Sequence, residues 1–306
     1  MPHILVVGSL AYDDVQTPYD RRREVLGGAA SYFSLAARLY APVRLMGVVG
    51  DDFRQSDLER LQQKGVDIGG VDRAKGRSFR WLGRYDHDLV TAETINTDLG
   101  VFGDWEPQVP PSFVDSEFVF LANILPEIQL RMLEQVRAPI AVALDTMNYW
   151  IERKRDALTT VMSRVDIVTI NEAEARQFCG THNVIRAARE ILALGPRAVV
   201  IKRAEYGALA VMRGTGGRAP RLFWTPAYPL EEVRDPTGAG DAFAGGLLGH
   251  LARAGTVDDR TLSHAVLHGT VCASFAVEQF SVDGIEQADE AGVEARVREL
   301  QALVSP

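Results

Sequence analysis

Short, continuous apolar runs alternate along this chain with helix-patterned segments, and that alternation admits few architectures. Ile4-Leu5-Val6-Val7 is an apolar run closed by Gly8, and Gly27-Gly28 then opens an alanine-rich helix, Ala29 to Leu39. Val43 to Val49 is the next run, stopped by Gly50-Asp51-Asp52. A helix capped by Ser56 or Asp57 follows to Lys64, with Gly65 in the C′ position. Strands that alternate with helices suggest a parallel sheet. The rhythm predicts further strands at Phe118–Ala122, Ile140–Leu144, Ile167–Ile170, Ala198–Ile201 and Ala208–Met212. Helices fall at 126–137, 152–162, 172–178 and 183–194. Residues 213–234, rich in Gly and Pro, read as short strands and loops, and helices at 240–253, 259–277 and 289–303 close the chain. The economical reading is one α/β domain over residues 1–306, with a doubly wound, mostly parallel sheet flanked by helices.

Two segments break the rhythm. Residues 12–26 are a polar excursion, and residues 77–101 alternate polar with large apolar groups: Ser78-Phe79-Arg80-Trp81-Leu82, Arg84-Tyr85, then Thr91 to Leu99. The second pattern reads as β-hairpins. Neither segment can bury a core alone. Together they form a small sheet projecting from the domain as a lid.

Charge and cysteine content exclude several classes. The formal net charge is −8, and the tight basic run Arg21-Arg22-Arg23 reads as a solvated loop or edge strand, so no nucleic-acid partner is expected. Cys179 and Cys272 stand in no metal or redox spacing, which fits a reducing cytoplasm rather than a disulfide scaffold. The run from Met1 to Leu10 is too short to span a membrane and lacks a basic leader. A cytoplasmic protein without a membrane partner is the expectation.

The chemistry concentrates in Asp235-Pro-Thr-Gly-Ala-Gly-Asp-Ala-Phe-Ala-Gly-Gly246. A glycine-rich turn opening a helix presents free backbone N–H groups and the positive end of the helix dipole, and phosphate is its usual guest. Asp241 repels such an anion, which makes sense if it takes a proton from a hydroxyl attacking a phosphoryl group. The plainer reading is a turn with Asp241 stabilising the first helical turn. Ligands of doubly wound sheets sit at the carboxyl ends of the strands. Asp13, Gly27-Gly28, Asn171, Glu174, Lys202 and Asp241 all fall there. Each has a structural alternative. Asp13 and Gly27-Gly28 can be turn residues, Asn171 to Glu174 a capping box, Lys202 a surface lysine and Asp235 a turn start. Their convergence at one end of one sheet favours a site.

In order and content these pieces resemble the ribokinase-like, or PfkB, carbohydrate and nucleoside kinases, over residues 3 to 300. Asp235 to Asp241 is similar to that family's C-terminal signature and Gly27-Gly28 to its N-terminal one. Val49-Gly-Asp-Asp-Phe53 and Asn171-Glu-Ala-Glu174 are further family-like pieces. The resemblance implies the ribokinase-like fold with its β lid, and an ATP-dependent kinase acting on an alcohol group. It implies Asp241 as catalytic base, with the amides of Gly238, Ala239 and Gly240 holding charge that develops on the transferred phosphoryl group. Asn171 and Glu174 would place Mg²⁺ and its waters, and Lys202 and Gly207 would meet the nucleotide. Asp13 and Gly27-Gly28 would grip the acceptor, and the lid would close over it. A monovalent cation such as K⁺ near Asp235, Thr237 and the 277–281 loop is also implied.

The departures bear on the acceptor. Tyr32 stands where many relatives carry Asn, and Ala11 where ribokinase proper has Asn. Two lost amides and one gained ring argue against plain ribokinase specificity, since a ring can stack on a sugar or a nucleobase. Trp81, Phe79 and Tyr85 can do the same or simply pack the lid. Pro236 replaces a frequent Thr, which weakens the cation site. Asn123 and Asn148, just after strands, are further acceptor candidates. The chain has neither GxxxxGK[ST] nor a GxGxxG after its first strand, so a P-loop kinase and a dinucleotide oxidoreductase are poorly supported. The leading expectation is phosphorylation of a sugar hydroxymethyl group. The alternatives are a nucleoside kinase of the adenosine or inosine type and a catalytically silent, ligand-sensing paralogue. A homodimer through exposed lid edges is also expected.

Overall fold

The computed structural model describes residues 1–90, 92–214 and 219–304. Thr91, in the predicted lid, and residues 215–218, in the predicted loop stretch, lie outside them. β1 (Ile4–Val7) leads into a hairpin, β2 (Ala11–Gln16) and β3 (Arg21–Gly27), and then α1 (Ala29–Ala37). β4 (Val43–Val49), α2 (Gln55–Gln63) and β5 (Val66–Arg73) precede a second hairpin, β6 (Phe79–Tyr85) and β7 (Ala92–Asp98). Next come β8 (Phe118–Leu121), α3 (Pro126–Gln135), β9 (Ala141–Leu144), α4 (Asn148–Arg153) and α5 (Arg155–Met162). β10 (Ile167–Asn171), α6 (Glu172–Cys179), α7 (Val184–Ala193), β11 (Ala198–Lys202), β12 (Ala208–Met212) and β13 (Arg221–Thr225) follow. α8 (Ala239–Ala254), α9 (Asp259–Ala276), α10 (Asp283–Gln287) and α11 (Glu290–Val304) end the chain.

The central sheet runs β13-β12-β11-β10-β9-β8-β1-β4-β5. All its pairings are parallel except β11 with β12 and β12 with β13. Side chains alternate between two cores, as a strand covered on both faces requires. Ile4 and Val6 join the core with α1, α8 and α9, where Phe33 stacks on Phe120 at 4.1 Å. Leu5 and Val7 join the core with α3, α5 and α7. Burying a side chain of this size contributes about 2 kcal/mol. The chain starts inside the sheet, third strand from one edge, and builds outward both ways from β1. Such a switch point leaves a crevice at the carboxyl ends of the strands.

The two polar excursions do join, in a four-stranded sheet of order β3-β2-β6-β7. β2 and β6 pair in parallel at its centre, with Asp13 opposite Trp81, and the outer pairs are antiparallel. Arg21 to Arg23 lie exposed on the edge strand β3.

The sequence reading needs correction at four places. Neither Ser56 nor Asp57 caps α2; the N-cap is Arg54, with no side-chain cap. Asp57 turns inward instead and accepts from Tyr12 Oη at 2.8 Å and Arg54 Nε at 2.8 Å. β5 was not anticipated, because Gly69-Gly70 interrupt its pattern; Gly70 lies against Met46 and Phe113, where a side chain does not fit. The helix at 152–162 is two, α4 and α5, divided at Lys154 (φ −136°). The short α10 was also unread. Among the described residues no helix is long and apolar enough to cross a membrane.

Candidate active site

The turn before α8 is fixed by its own backbone. Asp235 accepts from the Thr237 N–H at 2.9 Å and, through its other oxygen, from the Ser281 N–H at 3.3 Å. The Ala239 N–H donates to the Pro236 carbonyl at 3.2 Å. Gly238 then adopts φ 76°, a left-handed conformation that costs little only without a Cβ. A side chain there would also overlap the Tyr32 ring. The consequence is a pair of N–H groups, on Gly238 and Gly240, with no backbone acceptor among the described residues. They face the space in front of the helix, where its dipole is positive. The expectation of three amides is therefore corrected at Ala239, whose N–H closes the turn.

Asp241 sits in the first turn of α8, beside a buried group of charges. Lys202, at the end of β11, bonds Asp145 at 2.5 Å and lies over Gly240, where a Cβ would come within 2.9 Å of its Nζ. Asn171 and Glu174 form the capping box of α6: the Asn171 side chain accepts from the Glu174 N–H at 2.8 Å, and Glu174 Oε2 accepts from the Asn171 N–H at 3.0 Å. One oxygen of Glu174 is left for other work. Parallel pairing of β10 with β11 places Asn171 opposite Lys202.

Burial dominates the acid–base behaviour of this group. It raises the Asp241 pKa to about 7, helped by Asp145 and opposed by Lys202 and the residue's own N–H. It raises Glu174 to about 8, with Lys202 opposing and Asp145 assisting. Asp145 is also held above its ordinary value by burial, despite Lys202. Burial works against the charge of Lys202, yet Asp145, Glu174 and Asp241 together hold its pKa above the usual value. Three buried carboxylates therefore share one ammonium, and the deficit of positive charge suits a divalent cation. No three His, Cys, Asp or Glu side chains among the described residues can together hold a metal ion. The unengaged oxygen of Glu174 fits Mg²⁺, which keeps most of its water and takes few protein ligands.

A fourth acid lies toward the lid. Asp13 is 4% exposed, and a Cβ on Gly27 would overlap its carboxylate. Burial raises its pKa to about 8, with Asp235, Asp241 and Asp14 adding to the rise and the Gly28 N–H opposing it. The charge of Asp241 is thus near enough to oppose ionisation of Asp13. Gly28 is the N-cap of α1. Gly207 packs its backbone on Thr225 and Pro226 of the β13 end.

Three expected acceptor contacts fare differently. Tyr32 is 1% exposed, a floor under the Gly238 turn, and offers no ring face to a ligand. That expectation is corrected: the left-handed turn closes over the ring. Asn123 accepts from Trp150 Nε1 at 3.0 Å, and exposed Asn148 accepts from the next residue's N–H at 2.9 Å. Both are tied to α4, and no hydrogen bond joins them to the acids. Sequence reasoning missed Asp145, although it directly follows the strand read at Ile140–Leu144, the same signal that singled out its neighbours.

A family model described as pfkB family carbohydrate kinase matches residues 1–288. The chain is 34% identical to a cytidine kinase of Thermococcus kodakarensis over 257 residues, 83% of this chain and 90% of that protein. It is 26% identical to an aminoimidazole riboside kinase of Salmonella typhimurium, covering 90% of this chain and 89% of that one. The solved nucleoside kinase of Burkholderia thailandensis in complex with inosine is similar in fold, with a TM-score of 0.77 at 21% identity over 98% of each chain.

Proposed function

The chain belongs to the pfkB family of carbohydrate kinases, and from that premise we propose that it moves the terminal phosphoryl group of ATP onto a hydroxymethyl group of a nucleoside. The observation that carries the chemistry is Asp241 in the first turn of α8, beside the free amides of Gly238 and Gly240 and under Lys202. Asp13 accepts hydrogen bonds from acceptor hydroxyls and so turns the hydroxymethyl group toward Asp241. Asp241 takes the proton of that hydroxyl as its oxygen attacks. A base with a pKa near the working pH is well matched to this step. The two amides and Lys202 meet the negative charge on the moving phosphoryl group, each such donor being worth roughly 10²- to 10³-fold in rate. Glu174 and Asn171 would hold hydrated Mg²⁺, which when bound supplies positive charge to the nucleotide phosphates. Lys202 and Gly207 border the nucleotide. Asp235 accepts one backbone N–H on each oxygen and so fixes the turn before α8.

A nucleoside is preferred over a free sugar because the cytidine kinase is 34% identical, against 26% for a fructokinase of Klebsiella pneumoniae. The free sugar is the second reading, favoured by the family's description. We also propose that copies pair through the open lid edges, β3 and β7. The test of the acceptor is a steady-state panel of nucleosides and sugars with ATP and Mg²⁺. A nucleoside is expected to lead ribose and fructose by at least about tenfold in kcat/KM, a margin one or two extra hydrogen bonds supply. A sugar in the lead would install the second reading.

A further inference from the structure

Tyr85 ends β6, and its phenol leaves the lid altogether. The Thr237 hydroxyl, in the turn before α8, donates to its oxygen at 3.2 Å. Trp81, Gly83 and Tyr85 share one face of β6. The pairing of Asp13 with Trp81 puts the Asp13 side chain on that same face, so it is the face turned to the cleft. Gly83 leaves room for the Trp81 indole, which a side chain there would overlap. Tyr85 is 8% exposed, whereas its neighbour Arg84 is solvated. Burial, with Asp235, Asp13 and Asp241 nearby, holds the phenol protonated, against the pull of Thr237. Thr237 occupies the oxygen as a donor, and the phenol's own proton has no acceptor among the described residues. A buried O–H without an acceptor is destabilising and points to a missing partner.

We propose that Tyr85 is a positioning residue: it latches the lid to the phosphate-binding turn through Thr237, and its free O–H donates to an oxygen of the bound acceptor. The second half rests on the acceptor reading above; the latch does not. Thr237 stands directly before Gly238, so the latch steadies the turn that presents the free amides. Acceptor occupancy, lid closure and assembly of the anion site then become one event, and ATP bound without an acceptor meets a less settled turn.

Tyr85→Phe removes the oxygen and keeps the ring, Thr237→Val removes the donor and keeps the bulk, and Thr237→Ser restores the hydroxyl. In ligand-free protein, amide exchange in β6 and residues 236–240 is expected to quicken severalfold in Tyr85→Phe and in Thr237→Val. It should quicken no further in the double variant and return to the wild-type rate in Thr237→Ser. With an acceptor from the panel, Tyr85→Phe is expected to raise acceptor KM about tenfold, the loss of one hydrogen bond to a polar ligand. Its kcat should fall less, and ATP hydrolysed per product should rise. Wild-type exchange rates in Tyr85→Phe overturn the latch, and wild-type acceptor KM overturns the donated bond. If exchange quickens but no panel member turns over, the latch stands and the acceptor reading fails.

Discussion

β8 and β9 are buried along their whole length, whereas β7 leaves four consecutive residues, Glu93 to Asn96, in solvent. The same contrast divides the cleft. Its phosphate side hangs from the carboxyl ends of β9, β10 and β11 and from α8, all embedded in the two cores. Its acceptor side is carried largely by the lid, whose contacts with the rest of the molecule include Tyr12 to Asp57 at 2.8 Å, Phe79 edge-on to Phe102 at 6.3 Å, Arg80 to Asp52 at 3.0 Å, and Tyr85 to Thr237. Groups that must not move during charge transfer sit on the rigid scaffold, and groups that must admit a substrate sit on the part with the least burial. Local opening of the lid costs little of the core.

The largest effect that can test this division is Asp241→Asn. Its kcat is expected to fall by at least about 10³, with nucleotide binding retained, as general-base loss combined with a disturbed anion site predicts. A fall of less than tenfold would remove Asp241 from the role of base. In the wild type, kcat/KM should fall as pH drops from about 8, where Asp13 and Glu174 take up protons, and more steeply below about 7, where Asp241 does. The same acid gives stability the opposite slope. Its folded pKa lies above the unfolded value, so its contribution is fully present below about pH 4 and is lost as pH rises through about 7. Asp241→Asn should therefore be more stable than the wild type at pH 8, by about 4 kcal/mol, and the gap should close toward pH 4.

Gly27→Ala is the next test, on the acceptor side alone. The added methyl overlaps the Asp13 carboxylate and must displace it. Acceptor KM should rise about 30-fold, the worth of a charged hydrogen-bond pair, with nucleotide KM unchanged. Equal damage to both constants would mean that the two sides of the cleft are not separable. The smallest effect belongs to the open edge. Ile95→Lys in β7 should change the stability of a single copy by less than about 0.5 kcal/mol, because Ile95 is 49% exposed. Sedimentation should nevertheless show fewer dimers if copies pair through the lid, and an unchanged profile would discard that pairing.

The parts of the fold that could be read in advance share one property: their side-chain pattern answers to local geometry. Val43–Val49, apolar but for the half-buried Arg44, and the wholly apolar Ala208–Met212 are covered on both faces, and their predicted limits coincide with β4 and β12. β5 escaped notice because Gly70 is dictated by Met46 and Phe113, residues distant in sequence. Asp57 looked like a cap, which a local rule allows, but Tyr12 draws it inward across 45 residues. In the candidate site, Asp241 and Glu174 stood out because helix starts have a sequence signature. Asp145 did not, since nothing near it in the chain announces Lys202, 57 residues on.

What the sequence determined by itself is the reaction's anion site. Gly238 to Asp241 are consecutive, and a glycine-rich turn into a helix exposes its N–H groups whatever surrounds it. The parallel sheet was also settled locally, by the spacing of apolar runs. Only the tertiary structure decided that Tyr32 lies under that turn, that Lys202 belongs to Asp145, and that Tyr85 crosses from the lid to Thr237. These contacts join segments that composition and periodicity treat as independent. Burial and charge act through space, and the chain reveals them only once it is folded.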